Sequence, residues 1–215
     1  MNSRPRLAAG IFGLITIWLF FSCSRVGKHS TTVSHAVFNE MQANLINEGE
    51  SNMGMRIFTL NNDKDSVLLR MRSQDIDLPT SDTLLEKFTQ RLYHTVTDSS
   101  HLGVGIAAPQ VGILKNIIWV QRFDKASFPF EVFYNPKILK YSTLKQDCLE
   151  GCLSIPDRMD TTRTRSYAIL LEHEKPNGEK QVEMIEDFTA VIFQHEIDHL
   201  NGILYIDHLK KELMN

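Results

Sequence analysis

The sequence predicts an α+β domain, and three observations support this fold class. Short apolar runs rich in Val, Ile, Phe and Tyr are bounded by turn residues, which is typical of β-strands. Apolar residues at helical spacing occur in one stretch before most of these runs and in another after them. The runs do not alternate regularly with helices, so we expect antiparallel strands rather than parallel βαβ units.

The composition fits one globular domain with additional sequence. Of the 215 residues, 42% are hydrophobic and 23% are charged, with a mean hydropathy of -0.19. These values exclude an intrinsically disordered chain and a multi-span membrane protein. The net charge is -3 and no long run of Lys or Arg occurs, so no nucleic-acid partner is expected. Three cysteines are too few for a disulfide-rich scaffold.

Residues 1–22 have the features of a bacterial export signal. Arg4 and Arg6 precede an uncharged, largely apolar stretch that reaches Ser24. Cys23 follows the apolar core and resembles the lipidated cysteine of a lipoprotein. We therefore expect a signal peptide over 1–22, lipidation at Cys23 and a membrane-anchored protein at the extracytoplasmic face.

Two alternatives remain for the N-terminus. The apolar stretch could stay uncleaved as a signal anchor, although its length is marginal for a membrane span. Translation could also start at Met53 or Met55, which would give a cytoplasmic protein.

Residues 23–54 are rich in Ser, Thr, Asn and Gln and are predicted to form a polar tether. Val37, Phe38, Met41 and Leu45 fall at helical spacing within it and could dock on the domain instead. The domain itself is predicted over 55–215, and we expect it to be monomeric.

The first half of the domain should contain one helix and three extended segments. Ser81 and Asp82 offer N-cap oxygens before apolar residues at helical spacing over 84–96. Residues 56–60 are strand-like or extended, and 61–63 turn the chain. The β-branched and aromatic runs at 117–120 and 131–134 predict strands, the second ended by Asn135 and Pro136.

A hairpin and a second helix follow. Residues 167–172 and 181–184 flank the turn sequence Lys-Pro-Asn-Gly at 175–178, a strong hairpin signal. Asp187 is predicted to cap a helix that runs to about Leu200, with Gly202 at its C-terminal cap.

The late helix contains an H-E-x-x-H motif. His195 and His199 are four residues apart and therefore lie on one helix face, which Phe188 and Ile192 share. Two imidazoles one turn apart can bind one divalent ion, with Glu196 beside a metal-bound water. Two core histidines without a metal would carry a large desolvation cost.

The third ligand is expected upstream of the motif. The metzincin pattern requires a histidine at position 205, which is Tyr205, and after His199 the only glutamate is Glu212. Cys152 is the upstream candidate, since Gly151 before it allows close approach of the backbone and Pro156 ends the segment. One thiolate and two imidazoles would leave a coordination position open, as catalytic sites do. Cys148 is predicted to be a core residue.

A third stretch, residues 103–110, combines small residues with an amide. Its glycines and alanines leave room for another backbone to lie alongside a strand edge. Gln110 can donate an N–H to a developing oxyanion. Because no third glycine or P-loop lysine follows, a phosphate loop is not expected.

Together these segments resemble the peptide deformylase family, whose signatures are G-x-G-x-A-A-x-Q, E-G-C-L-S and Q-H-E-x-D-H-L. All three occur in family order, and the resemblance extends from about Met55 to Leu209, including 66–70. It implies antiparallel strands around a central helix that carries H-E-x-x-H. The implied activity is removal of the formyl group from N-formyl-Met peptides, with release of formate.

The resemblance also implies a role for each matching residue. The metal ligands would be Cys152, His195 and His199, and Glu196 would be the general base and later the acid. The Gln110 side chain and the Leu153 backbone N–H would stabilise the oxyanion. The peptide would bind as an added strand in a cleft whose contacts and methionine pocket include Val104, Gly105, Gly151, Phe188, Val191 and Ile192. The implied cofactor is one divalent ion, most often Fe(II), with Zn(II), Ni(II) or Co(II) able to replace it.

The sequence departs from the family at two arginine positions. Met159 stands where an arginine often contacts the peptide, seven residues after the metal cysteine. Thr164, between Arg163 and Arg165, stands where an arginine commonly pairs with the glutamate of E-G-C-L-S, here Glu150. Two other functions stay open: an exported metallopeptidase that uses the same site, and a deformylase-like binding protein that has lost turnover through these departures.

Overall fold

The computed structural model describes Met1, residues 37–100 and residues 103–214. The described residues from 37 onward belong to one compact unit. The predicted signal peptide, Cys23 and the first part of the predicted tether lie outside the described residues. In the part of the chain that is described, no helix is both long and apolar enough to cross a membrane.

The fold is α+β and its strand pairs are antiparallel, as predicted. The helices are α1 (Glu40–Asn47), α2 (Asp63–Leu69), α3 (Thr83–Val96), α4 (Asp187–Leu200) and α5 (Tyr205–Met214). The strands are β1 (Gly105–Ala107), β2 (Ile117–Gln121), β3 (Phe130–Tyr141), β4 (Lys145–Cys152), β5 (Ile155–Ser166), β6 (Ala168–Glu174) and β7 (Lys180–Glu186). One sheet has the order β1-β2-β3-β6-β7, and β4 pairs with β5 in a separate hairpin.

The β1–β2 end of the large sheet lies between α3 and α4. Successive side chains of a strand point to opposite faces. Ile106 and Ile117 accordingly pack in the core that α3 shares, and Ala107 and Ile118 pack in the core with α4. Helix α4 is buried on most of its surface, and its neighbours include the β4–β5 hairpin as well as the large sheet. A polar side chain on α4 can therefore face an interior site.

Residues 37–54 are part of the folded unit, so the alternative in which this range docks on the domain describes it, and not the tether. Asn39 caps α1, and Val37, Phe38 and Ile46 are buried in the core with α3. The guanidinium of buried Arg91 donates to the backbone carbonyls of Leu45, Ile46, Met53 and Gly54. Buried apolar side chains and the hydrogen bonds from Arg91 to backbone carbonyls hold this segment on the domain. Its polar composition does not indicate these contacts.

Most predicted elements of the domain are present. Asp82 caps α3 by accepting from Leu84 N at 2.9 Å, and the predicted hairpin is β6–β7 with Gly178 at φ +80°. Gly202 follows α4 at φ +72°, where a Cβ would lie 2.3 Å from the Arg70 carbonyl oxygen. Asp187 is the first residue of α4 rather than its cap.

One predicted strand end is wrong. Strand β3 continues through Asn135 and Pro136 to Tyr141. Asn135 adopts φ +49° at a register shift, and its side-chain amide pairs with both backbone groups of Ile76. The irregularity is thus absorbed inside the strand by a local bulge.

A buried arginine holds the loop between β2 and β3. Arg122 is 2% exposed and binds three carboxylates, those of Asp124, Glu131 and Glu183. His173, whose Nε2 lies 3.3 Å from Glu183 Oε1, and then Arg122 lower the pKa of Glu183 to about 2. This cluster fixes the loop beside the N-terminal end of α4.

We expect residues 37–54, the docked segment, to contribute to stability through their buried apolar side chains. Phe38, which packs edge-on against Phe88 at 5.5 Å, should cost about 3 kcal/mol or more when replaced by alanine. Met41 is 69% exposed, and Met41→Ala should change the free energy of unfolding by less than about 0.5 kcal/mol. Urea unfolding of both variants measures the difference, and equal values would mean that the segment is not packed.

We expect Glu183 to make the free energy of unfolding decrease as the pH is lowered. Because its folded-state pKa lies below that of an unfolded glutamate, about 4.3, its contribution is complete above that value and is lost as the pH falls toward 2. The free energy of unfolding of wild type relative to Glu183→Gln should therefore shrink between pH 6 and pH 3, read by urea titration. Glu179→Gln, at an exposed ion pair, is the control. A pH-independent difference for Glu183→Gln would contradict the assignment.

Candidate active site

Helix α4 positions three polar side chains in the interior. His199 and Glu196 are 1% and 4% exposed, and the imidazole of His195 packs edge-on to that of His199 with ring centroids 5.1 Å apart. The i, i+4 spacing brings both rings to the same side of the helix, as the sequence predicts.

Cys152 ends β4 and faces these histidines. Its Sγ lies 3.1 Å from His199 Nε2, and the ligand atoms of Cys152, His195 and His199 are all within 4.8 Å of one another. One thiol and two imidazoles in this arrangement are a donor set that suits Zn(II), Fe(II) or another transition metal. Among the described residues, nothing forms a hydrogen bond with Nδ1 of His199.

Glu150 fixes the orientation of one candidate ligand. Its Oε2 lies 2.8 Å from His195 Nδ1, which leaves Nε2 of that ring for a metal. Burial alone would raise the pKa of Glu150, but His195 and Arg165 hold it well below its usual range. The group therefore stays a carboxylate and keeps the imidazole in one tautomer.

Arg165 supplies the arginine that the family pattern places at position 164. It is 2% exposed and binds both oxygens of Glu150 at 2.8 Å, and its Nη1 donates to Asp198 at 2.6 Å. In the β4–β5 ladder, Cys148 pairs with Thr162 and Gln146 pairs with Arg165. Two steps along β4 thus match three along β5, which is the extra residue of a β-bulge. Because of this bulge, the side chain of Arg165 reaches Glu150. The ion pair with Glu150 is therefore kept although position 164 is a threonine.

Glu196 has a free oxygen at the centre of the site. Its Oε2 is buried and has no hydrogen-bond partner within the described part of the chain, and burial raises the pKa of this carboxyl to about 7. Gly105 passes so close that a Cβ there would lie 2.4 Å from Glu196 Oε1 and 2.8 Å from Ile192 Cγ2. Only glycine lets the edge strand β1 approach the helix at this point.

Gln110 presents its N–H groups to the same centre. Ala107 N donates to Gln110 Oε1 at 2.8 Å, so the amide oxygen is occupied and Nε2 points toward Cys152 Sγ and Ser154 Oγ, 3.7 and 3.3 Å away. Leu153 lies in the turn between β4 and β5, and this turn brings it to the same cleft.

A cleft of about 850 Å³ opens above these groups. The structure brings all six predicted substrate-contact residues to its walls: Val104, Gly105, Gly151, Phe188, Val191 and Ile192. Strand β1 is the edge of the large sheet, so an extended peptide can pair with it. Phe188 is backed by Phe123, whose ring centroid lies 5.3 Å away.

Sequence reasoning missed the groups behind the ligands. Arg165 binds Glu150 and Asp198, Thr162 donates to Glu150, and His208 on α5 lies 2.8 Å from Asp198 Oδ2. In the sequence, the arginines on either side of position 164 were the one indication of this network. The prediction that Cys148 is a core residue is wrong, since it is half-buried and lines the cleft.

The chain is similar to known proteins in both sequence and fold. Residues 55–214 match the family model described as polypeptide deformylase. The chain belongs to this family. A peptide deformylase of Caulobacter sp. (strain K31) is 36% identical over 157 residues, covering 73% of this chain and 88% of that protein.

Solved deformylase structures superpose on most of the chain. A class I type b peptide deformylase from Acinetobacter baumannii with bound Met-Ala-Ser has a TM-score of 0.64 and 29% identity, covering 73% of this chain and 99% of that one. The peptide deformylase from Thermotoga maritima has a TM-score of 0.63 and 32% identity, covering 72% and 97%.

We expect Arg165 to be needed for both stability and metal binding. Arg165→Ala leaves the buried carboxylate of Glu150 without its cation, which should cost about 3–5 kcal/mol of stability. It should also lower metal affinity tenfold to a hundredfold by loosening His195.

Arg163→Ala is the matched control, because Arg163 is two residues away and its side chain is 67% exposed. It should change stability by less than about 1 kcal/mol. Urea unfolding and competition with a metallochromic chelator measure both quantities. If the two variants lose metal equally, Arg165 does not position His195.

Proposed function

We infer that the chain is a peptide deformylase, a metal-dependent hydrolase that removes the formyl group from N-formyl-Met peptides. The observation that carries this is the convergence of Cys152, His195 and His199 with the unpartnered Glu196 Oε2 and the Gln110 amide in one cleft. Family membership and the bound Met-Ala-Ser of the Acinetobacter baumannii enzyme support a peptide substrate.

The residues present fit one divalent ion held by Cys152, His195 and His199. Three ligands with a buried, unpartnered carboxylate beside them suit a catalytic site better than a closed structural one. When bound, such an ion supplies Lewis-acid chemistry, polarising a carbonyl oxygen and making water a stronger acid. We propose Fe(II) as the natural ion, with Zn(II), Ni(II) or Co(II) as substitutes.

Glu196 moves the proton. No described residue forms a hydrogen bond with its buried Oε2, so this oxygen can accept a proton from the water that attacks the formyl carbon. It then donates that proton to the amine as the C–N bond breaks, which leaves formate and the free peptide N-terminus.

Gln110 and Leu153 stabilise the developing negative charge. The Gln110 amide is held in place by Ala107, so its N–H groups are fixed before the substrate arrives. Together with the Leu153 backbone N–H it forms an oxyanion site, in which each donor is worth roughly 3–4 kcal/mol.

The substrate backbone runs between two strands. Gly105 at the start of the edge strand β1 and Val104 just before it offer backbone groups, and Gly151 does so on β4. The methionine side chain occupies the apolar pocket of Phe188, Val191 and Ile192. In this proposal α4 is the central helix between the two strands that hold the peptide, and the enzyme acts as a monomer.

We also propose that residues 1–22 are an export signal and that lipidated Cys23 anchors the enzyme at the extracytoplasmic face. The proposal is supported by Arg4, Arg6 and the apolar stretch that follows them. Burial of Phe38 and Ile46 supports a start upstream of the docked segment. Membrane fractionation of wild type and Cys23→Ala, with mass spectrometry of the N-terminus, tests it. An unmodified soluble product that starts near Met53 would refute it.

We expect Glu196→Gln to lose deformylation while it keeps fold and metal. The change removes the proton carrier and is nearly isosteric, so kcat should fall by about 10²–10⁴-fold. Glu186→Gln, at an exposed residue next to the start of α4, is the control and should stay active. Formate release from formyl-Met-Ala and metal content per chain are measured together. A metal-replete Glu196→Gln with normal formate release would overturn the mechanism, and an inactive metal-replete wild type would overturn the function.

A further inference from the structure

Exposed apolar side chains line the cleft on both walls. Leu149 and Met159 of the β4–β5 hairpin are 60% and 61% exposed, and Phe188 at the start of α4 is 40% exposed. Large apolar residues this exposed, grouped along one cleft, mark a surface that is covered when a ligand binds.

The peptide that follows the formyl-methionine must pass this surface. At the reactive end the cleft is closed by the buried side chains of Gln110 and Glu196 and by Cys152. A formyl group ends its chain, so nothing of the substrate extends beyond it. The second and third residues therefore leave toward the open side, where Leu149 and Met159 lie.

Met159 lies directly beside the strand that is to pair with the peptide. It is the cross-strand partner of Gly151, and a Cβ at Gly151 would lie 3.2 Å from Met159 Cγ and 3.5 Å from its Cε. Leu149 is two residues before Gly151 and so shares the same strand face. A flexible thioether can adapt its shape to different apolar neighbours.

The charged side chains along this surface do not favour one sign of charge on the peptide. Of the residues that the structure describes, the charged side chains that line the cleft away from its interior are Asp157 and Arg158, which have opposite signs. Both side chains are exposed, so solvent screens their charges. Shape and apolar burial are left to distinguish one peptide from another.

We propose that Leu149 and Met159 select formyl-Met peptides with an apolar side chain at the second or third residue. The inference rests on the proposed deformylase function and specifies its substrate class. Met159 is the residue that sets the preference, because it is the cross-strand partner of Gly151 and its side chain lies where a Gly151 side chain would be.

The test compares two peptide series, formyl-Met-X-Ala-amide and formyl-Met-Ala-X-amide, with X as Leu, Gln, Asp or Lys. Leu and Gln have similar size, so their ratio reports polarity. In at least one series kcat/KM for Leu should exceed each of the other three by about tenfold, as burial of much of a leucine side chain implies. Formate release by the metal-loaded full chain is the readout.

Substitutions at Met159 test whether this residue causes the preference for leucine. Met159→Ser should reduce the Leu-to-Gln ratio at least threefold, and Met159→Arg should make the Asp peptide a better substrate than the Lys peptide. Met184→Ser is the matched control, because Met184 is 60% exposed but lies on β7, outside the cleft, and its ratios should equal those of wild type.

Equal kcat/KM values for Leu, Gln, Asp and Lys in both series would overturn this inference and leave the deformylase function standing. So would a Leu preference that Met159→Ser and Met184→Ser leave equally unchanged. Release of no formate from any of the peptides would overturn the proposed function, and the inference with it.

Discussion

The carboxylate of Glu150 is buried between the β4–β5 hairpin and helix α4, and the site depends on how it is bonded. It accepts two bonds from Arg165 and one from Thr162, and it orients the ring of His195. Arg165 in turn binds Asp198 on α4, beside His199. One ionic network thus connects the strand that carries Cys152 to the helix that carries both histidines. A buried charge of this kind is tolerated only when every oxygen is paired, as it is here.

The sequence predicts the helices and the central chemistry because these follow local rules. The capped helix α3, the β6–β7 hairpin and the H-E-x-x-H helix are set by side-chain period, caps and turn residues, which a single sequence displays. The β4–β5 hairpin and the role of Arg165 are different. They depend on a bulge between distant residues, and no local pattern reports a change of register.

The other errors have a common origin in tertiary contacts. Residues 37–54 have a tether-like composition, yet Arg91 satisfies their carbonyls and α3 buries Phe38. Asn135 looks like a strand end, but its amide is satisfied by the backbone of Ile76. In both cases a partner far along the chain supplies what the local sequence lacks, which is the usual way in which packing overrides propensity.

We infer that a thiolate and two imidazoles, held in place by the Glu150 network, bind one catalytic ion. Cobalt substitution tests this most directly, because a thiolate ligand gives Co(II) an intense charge-transfer absorption and the coordination number sets its visible bands. Wild type loaded with Co(II) should bind one equivalent, show the thiolate band and release formate from formyl-Met peptides, and Cys148→Ser should do the same. Cys152→Ser should lose the thiolate band. Formate release by metal-free protein, or a thiolate band that persists in Cys152→Ser, would contradict the account.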